Sequence, residues 1–206
     1  MRILTLENKC LNQSALKIKG CLTHKEHDVM SDSNENKKAF VTCDLLDAHP
    51  NAQVCLPNIE CKSFQSFGGK DHFYGEIVTV KCFEDNSQVK SLLSSSGKDK
   101  QGQGKVLVVD GGGSMRCALL GDMIAQSAID NNWAGVVIYG CVRDVDDLAK
   151  MDIGIKALGC IPRKSTRRNE GQINIEIRFG DLTLISGMFV YADNNGIIAS
   201  ATSLID

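Results

Sequence analysis

The residues best placed by type and spacing to do chemistry are two short pairs, Gly121-Asp122 and Arg143-Asp144, separated by the twenty residues 123 to 142. Arg143 offers a planar fork of donors suited to a carboxylate or an enolate oxygen. Asp144 is a hard oxygen ligand suited to Mg2+ or Mn2+. Gly121 is a poor helix-interior residue, so a helix is predicted to start there, with Asp122 at its N-terminus. The amides of Met123 and Ile124 would then be unpaired within the helix and open to a small carboxylate, helped by the helix dipole. Each pair also has an ordinary structural reading, Asp122 as an N-cap and Arg143-Asp144 as a surface ion pair with a cap before Val145-Asp146-Asp147. Taken singly, the ordinary readings are the stronger ones.

Upstream, Asp110-Gly-Gly-Gly-Ser114 resembles a phosphate cradle, because glycines let backbone amides approach an anion. Both nucleotide motifs fail. A Walker loop needs Gly-Lys-Ser/Thr where Ser114 leads to Met115, and the dinucleotide pattern needs a third glycine where Arg116 stands. The loop is therefore expected to be a tight strand exit, a scaffold that lets Asp122, Arg143 and Asp144 converge. The run Arg163-Lys-Ser-Thr-Arg-Arg168 is within reach of a substrate's distal carboxylate, although a basic run is ordinarily a solvated loop. Cys21, His24 and His27 lack a fourth ligand and a surrounding core, so a structural metal site is not expected there. His49 and His72 are isolated and read as structural residues.

The elements that must position these groups follow from periodicity. Residues 77 to 83 are rich in β-branched side chains and read as a strand, and Asp85 or Asn86 caps a helix through Val89, Leu92 and Leu93. Residues 105 to 109 form the next strand, 118 to 129 carry apolar residues at helical spacing, and 135 to 139 form a strand again. Strand, helix, strand in this order implies a parallel α/β unit. A short helix over 43 to 48, capped by Thr42, precedes it. Another over 146 to 151 and a strand over 155 to 160 follow. The last third changes character: 173 to 178 and 182 to 185 flank Gly180-Asp181, and 189 to 192 and 197 to 200 flank Asn-Asn-Gly, so antiparallel hairpins are expected. The fold class is mixed α/β.

The chain has 206 residues, 43% hydrophobic, with 23 basic and 25 acidic side chains. That suffices for one core and gives no broad positive field, so neither nucleic-acid binding nor, without an apolar run near the roughly 20 residues of a spanning helix, a membrane role is suggested. Nine cysteines, scattered without a Cys-x-x-Cys pair, read as reduced and mostly buried in a cytoplasmic compartment. Residues 1 to 38 read as a disordered extension and linker, and 39 to 206 as the domain. Residues 8 to 25 weakly fit a mitochondrial presequence.

The pattern G-D-x20-R-D resembles the signature of the class II 4-hydroxy-4-methyl-2-oxoglutarate aldolases, which belong with the regulator of ribonuclease activity A (RraA) family. The likeness extends to Phe83-Glu-Asp-Asn86, Val106-Leu-Val-Val-Asp-Gly-Gly-Gly-Ser114, Trp133-Ala-Gly-Val-Val-Ile138, Val142-Arg-Asp-Val-Asp-Asp-Leu148, Pro162-Arg-Lys-Ser165 and Tyr191-Ala-Asp193. It implies a swivelling β/β/α fold, a homotrimer with sites at subunit interfaces, and cleavage of 4-hydroxy-2-oxo dicarboxylates to pyruvate with decarboxylation of oxaloacetate. By the same resemblance Asp144 would bind the divalent metal, Arg143 would hold the 2-oxo acid oxygens, Asp122 would act through metal-bound water, and the Met123 and Ile124 amides would receive the pyruvate carboxylate. Some members add an acidic residue from the neighbouring subunit; here Asp206 is a candidate by position alone. The family also implies a second possibility, a non-catalytic protein that binds and inhibits an RNase E-type ribonuclease.

Overall fold

A computed structural model of the chain describes residues 40–57 and 63–205. The expectations for residues 1 to 38, for Cys21, His24 and His27, and for Asp206 lie outside the described residues.

The long β-branched run becomes β3 (Phe73–Lys81), whose alternate side chains are buried. It is followed by α2 (Ser87–Leu93), β4 (Val106–Asp110), β5 (Ala118–Leu120), α3 (Asp122–Asp130), β6 (Gly135–Val142), α4 (Val145–Leu148) and β7 (Gly154–Cys160). β4 and β6 are apolar on both faces, as strands covered on each side must be. β3, β4, β6 and β7 pair in parallel in that order, and β5 adds to the end of β6. Before this unit lie α1 (Thr42–Ala48), β1 (Gln53–Val54) and β2 (Gln65–Ser66); after it come β8 (Gln172–Ile173), the hairpin β9 (Ile177–Phe179) and β10 (Leu182–Leu184), and the hairpin β11 (Phe189–Ala192) and β12 (Ile197–Ser200). The large sheet runs β1-β12-β11-β3-β4-β6-β7-β2, antiparallel at both ends.

Two cores lie on opposite faces of this sheet. On the helical face, Val89 and Leu93 of α2 and Ile124, Ala125 and Ala128 of α3 pack on Leu107, Val109, Val136 and Ile138. On the other, Ile177, Phe179, Leu182 and Leu184 of the β9–β10 hairpin cover Val106, Val108 and Val137. The result is the expected mixed α/β architecture with a large sheet, few helices and C-terminal hairpins.

Two local expectations are corrected. Residues 118 to 120, which share the helical spacing of the segment after them, are a strand, because their backbone pairs with Cys141 and Val142 and the Ala118 N–H donates to the Arg163 carbonyl at 2.8 Å. Tertiary pairing overrides the apolar spacing there. Thr42 begins α1 after Val41 as its N-cap, and its hydroxyl donates instead to the buried Asp193 at 2.7 Å. Of the six described cysteines, Cys82, Cys117 and Cys141 are buried, Cys55 is half-buried, and Cys43 and Cys160 are exposed. Among the described residues no helix is long and apolar enough to cross a membrane.

Candidate functional site

The parallel register places the two pairs side by side. Leu120 opposes Val142 across the β5–β6 ladder, and the Arg143 N–H donates to the Leu120 carbonyl at 3.0 Å. The chain leaves β5 through Gly121 and β6 through Arg143, so both pairs emerge beyond the C-terminal ends of adjacent strands, where open α/β sheets present ligand groups.

Gly121 is the N-cap of α3, extended at φ −142° and ψ −174°, and Asp122 is the first helical residue. The Ile124 N–H is not open to a ligand: it turns back to the Gly121 carbonyl at 3.2 Å. This corrects the expectation that both first-turn amides stay unpaired; the Met123 N–H remains without a carbonyl one helical turn behind it. Gly121 is needed for space. A Cβ there would lie 2.5 Å from Asp144 Oδ2 and 3.1 Å from Arg143 Nε.

Asp144 adopts φ 58°, ψ 41°, a left-handed conformation uncommon outside glycine, and precedes α4. Its side chain makes no capping bond. It accepts from Arg143 Nε at 2.9 Å, with both side chains about 30% exposed. The carboxylate is thus turned away from the ordinary capping role and held beside Arg143.

Asp122 and Arg143 line one cavity of about 630 Å3, with Lys90 of α2 and its C-cap Ser94, Ser127 of α3, and Lys164, Ser165 and Arg167, while Asp144 is not part of that lining. Four cationic side chains face a single carboxylate in that lining, which favours an anionic ligand. The basic run is not a free loop. Thr166 N donates to the Glu84 carbonyl at 2.8 Å, Asn86 N donates to the Thr166 carbonyl at 3.3 Å, and Asp85 accepts from Ser87 N and from Arg168 N. Burial pushes the Asp85 carboxyl up, but these donors outweigh it and hold it below its ordinary value. Asp85 thereby clamps the run against α2, and Lys164 and Arg167 turn toward the cavity while Arg163 and Arg168 do not line it.

The glycine loop stands apart. Gly111 and Gly113 both donate to the Tyr139 carbonyl at 3.1 Å, and the loop contributes nothing to the cavity lining. Ser114 and Arg116 bind Glu84 at 2.6 and 2.7 Å, and these contacts, the Ser114 hydroxyl first, lower the Glu84 carboxyl. The loop is a strand exit that supports Leu119 beneath the site.

Among the described residues no group of three or more His, Cys, Asp or Glu side chains converges as a metal cage. The donor set at Asp144 is one partly exposed carboxylate that shares an oxygen with Arg143, which does not make a closed zinc site and is compatible with a hard cation that keeps several waters.

Lys90, Ser94 and Ser127 were not among the residues singled out from the sequence. Helix packing brings them in, with Ser94 Oγ 3.2 Å from Ser127 Oγ, and no local motif marks them.

The fold is a mixed α/β domain with a cation-lined cavity over the ends of parallel strands and an Arg143–Asp144 pair at its edge. Among folds of this class, the family model described as RraA-like (Aldolase/RraA) matches residues 42–199, and the chain belongs to this family. A protein of Acinetobacter baylyi named "Putative 4-hydroxy-4-methyl-2-oxoglutarate aldolase" is 57% identical over 81% of this chain and 96% of its own length, and one of the same name from Alcanivorax borkumensis is 59% identical over 81% and 99%. Among solved structures, the RNA-processing inhibitor RraA from Thermus thermophilis is 38% identical with a TM-score of 0.71, covering 79% of this chain and 93% of that one. The structure described as S-adenosylmethionine:2-dimethylmenaquinone methyltransferase from Geobacillus kaustophilus is 40% identical with a TM-score of 0.73, covering 80% and 97%.

Proposed function

We propose that this protein is a class II aldolase that cleaves 4-hydroxy-4-methyl-2-oxoglutarate-type 2-oxo acids to pyruvate, with decarboxylation of oxaloacetate as a related activity. The observation that carries this reading is that Asp122 and Arg143 line one cation-lined cavity and Arg143 holds the Asp144 carboxylate at 2.9 Å beside it, in a chain whose close relatives bear that aldolase name.

Asp144 would hold a divalent cation, Mg2+ or Mn2+, which supplies Lewis acidity toward a 2-oxo acid and lowers the pKa of water. The other steps fall to the chain. The Met123 N–H at the start of α3 receives the C1 carboxylate, favoured by the helix dipole. Arg143 faces the 2-oxo oxygen. Asp122, at the cavity wall, is placed to take the 4-hydroxyl proton through water. As that proton leaves, the C3–C4 bond breaks, C4 becomes the carbonyl carbon of one pyruvate, and the bond electrons move onto C3 and the oxo oxygen. The Arg143 guanidinium opposes the charge that develops there, an interaction whose loss typically costs about 2.7 to 4 kcal/mol in barrier height. A proton returned to C3 completes the second pyruvate. Lys164 and Arg167 lie across the cavity, where the substrate's distal carboxylate needs a counter-charge. The homotrimer and the cytoplasmic setting expected for the family belong to the same proposal.

The test is pyruvate release from 4-hydroxy-4-methyl-2-oxoglutarate and from oxaloacetate, with and without Mg2+, by native protein and Asp144→Asn. Asparagine tolerates the left-handed backbone, so the variant should fold and lose turnover. Metal-independent turnover, or an active Asp144→Asn, would refute the reading. The likeness to the Thermus RraA supports one alternative, inhibition of an RNase E-type ribonuclease, for which absent turnover together with co-purification of such a ribonuclease would be the signature.

A further inference from the structure

Lys156 is the buried cation that the catalytic reading leaves unused. It is 3% exposed, on the face of β7 opposite the helical core. Its ammonium donates to Ser66 Oγ at 2.7 Å, and Ser66 Oγ in turn lies 3.3 Å from Asn194 Oδ1. Among the described residues no carboxylate forms an ion pair with it. An ammonium has three donors and is costly to bury without a counter-charge.

The neighbouring groups do not neutralise it. Asp193 and Asp71 are both near enough to be felt, but neither forms an ion pair with it: Asp71 is exposed, and the Asp193 oxygens are taken by Thr42 N and Oγ1, Asn195 N and Nδ2, and Gly196 N. Cys55 is kept protonated, its thiol pushed up to about 11 by burial. Burial likewise lowers the Lys156 pKa, the sign of an ammonium short of compensation.

Lys156 opens on a cavity of about 300 Å3 that shares no lining residue with the Arg143 site. Its lining combines polar groups, Lys156 and Asn194-Asn195, with the larger apolar surfaces of Phe64, Tyr139 and Leu158. Tyr139 is fixed there by stacking on Phe179 at 4.9 Å between centroids.

We propose that this cavity is a second ligand site that takes a small monocarboxylate, its carboxylate on Lys156 Nζ and its short aliphatic tail against Phe64, Tyr139 and Leu158. The volume of about 300 Å3 admits a ligand of a few carbons, and the lining supplies both a cation and apolar surface for it. A carboxylate there completes the ion pair that the described residues leave open.

The experiment is titration calorimetry of the full-length protein with butyrate, and with butylamine as the same tail bearing the opposite charge. Native protein and Arg143→Met should bind butyrate alike, Lys156→Met should bind it at least about tenfold more weakly, and butylamine should not bind, because a charge-assisted hydrogen bond is the anchor. Lys156→Met replaces a buried charge by an apolar side chain of similar shape and should melt no earlier than the native protein. A measurement independent of any variant is reductive methylation of native protein read by peptide mass spectrometry: butyrate should slow labelling of Lys156 and spare Lys90 and Lys164. Binding that survives Lys156→Met, disappears in Arg143→Met or accepts butylamine would overturn the proposal, as would an absence of butyrate binding or unslowed labelling of Lys156.

Discussion

Replacing Gly121 by alanine separates the geometry of the site from the chemistry of its side chains, because the change adds one methyl group and removes no functional atom. The added Cβ would stand 2.5 Å from Asp144 Oδ2, 3.0 Å from Arg143 Cγ and 3.1 Å from Arg143 Nε. Ordinary contact needs about 3.5 Å, so the carboxylate must withdraw by about 1 Å. The backbone itself is extended and accepts alanine without strain. The groups that must give way are side chains about 30% exposed, so the fold should lose no more than about 1 kcal/mol. Displacement of reacting groups by about 1 Å costs on the order of a hundredfold in rate. The assay is pyruvate release coupled to lactate dehydrogenase, at saturating Mg2+, beside a thermal melt. Gly121→Ala with near-native melting and a roughly hundredfold lower kcat is the expected result. Native turnover in the variant would refute the argument that Arg143 and Asp144 act from the positions described, and a collapsed melt would show Gly121 to be structural first.

Asp122→Asn should leave binding of pyruvate near native while lowering kcat by about 10² to 10⁴, the usual contribution of a positioned acid or base; product inhibition against turnover separates the two. Lys164→Ala and Arg167→Ala should raise KM for the dicarboxylate substrate about tenfold each with smaller changes in kcat, since a distal carboxylate is bound alike in ground and transition states. Steady-state kinetics that show only kcat effects would remove them from that role. Burial raises the Asp193 carboxyl, but the Thr42 and Asn195 donors prevail and bring it down from 3.8 to about 2. A depressed carboxylate contributes its stability in full above the unfolded value and loses it as pH falls toward the folded one, so Asp193→Asn should cost about 2 kcal/mol at pH 7. Urea melts of native and variant protein should converge between about pH 4 and pH 2, and a gap constant across that range would point to another cause.

The sequence carried the strands and the site pairs because both are written locally. Alternation marks β3, and Asn194-Asn195-Gly196 marks the turn between β11 and β12. The glycine before Asp122 marks the start of α3. What remained hidden depends on pairing at a distance. Ala118-Leu119-Leu120 has helical spacing and becomes a strand only because the end of β6 offers a free edge. The basic run looks solvated until Glu84, Asp85 and Asn86, some eighty residues earlier, are seen to bind it. Lys90 and Ser94 join the cavity through the seating of α2 beside α3, which no spacing within α2 announces. Lys156 reads as one polar residue in an apolar strand, and only the covering hairpins make its burial evident.

The twenty residues between the two pairs are a length of chain and not a recognition code. They carry the backbone down α3, through the turn at Trp133 and back up β6, so that Arg143 returns to the level of Leu120. The interval is a ruler. One residue inserted within α3 would swing the downstream helical positions by about 100°, and one inserted within β6 would send Arg143 to the opposite face of the sheet. The turn around Asn131-Asn132, where the chain reverses before Trp133, is the stretch of this interval outside helix and strand, so a change in length there disturbs neither period. Among relatives, variation in this count should therefore be confined to that turn.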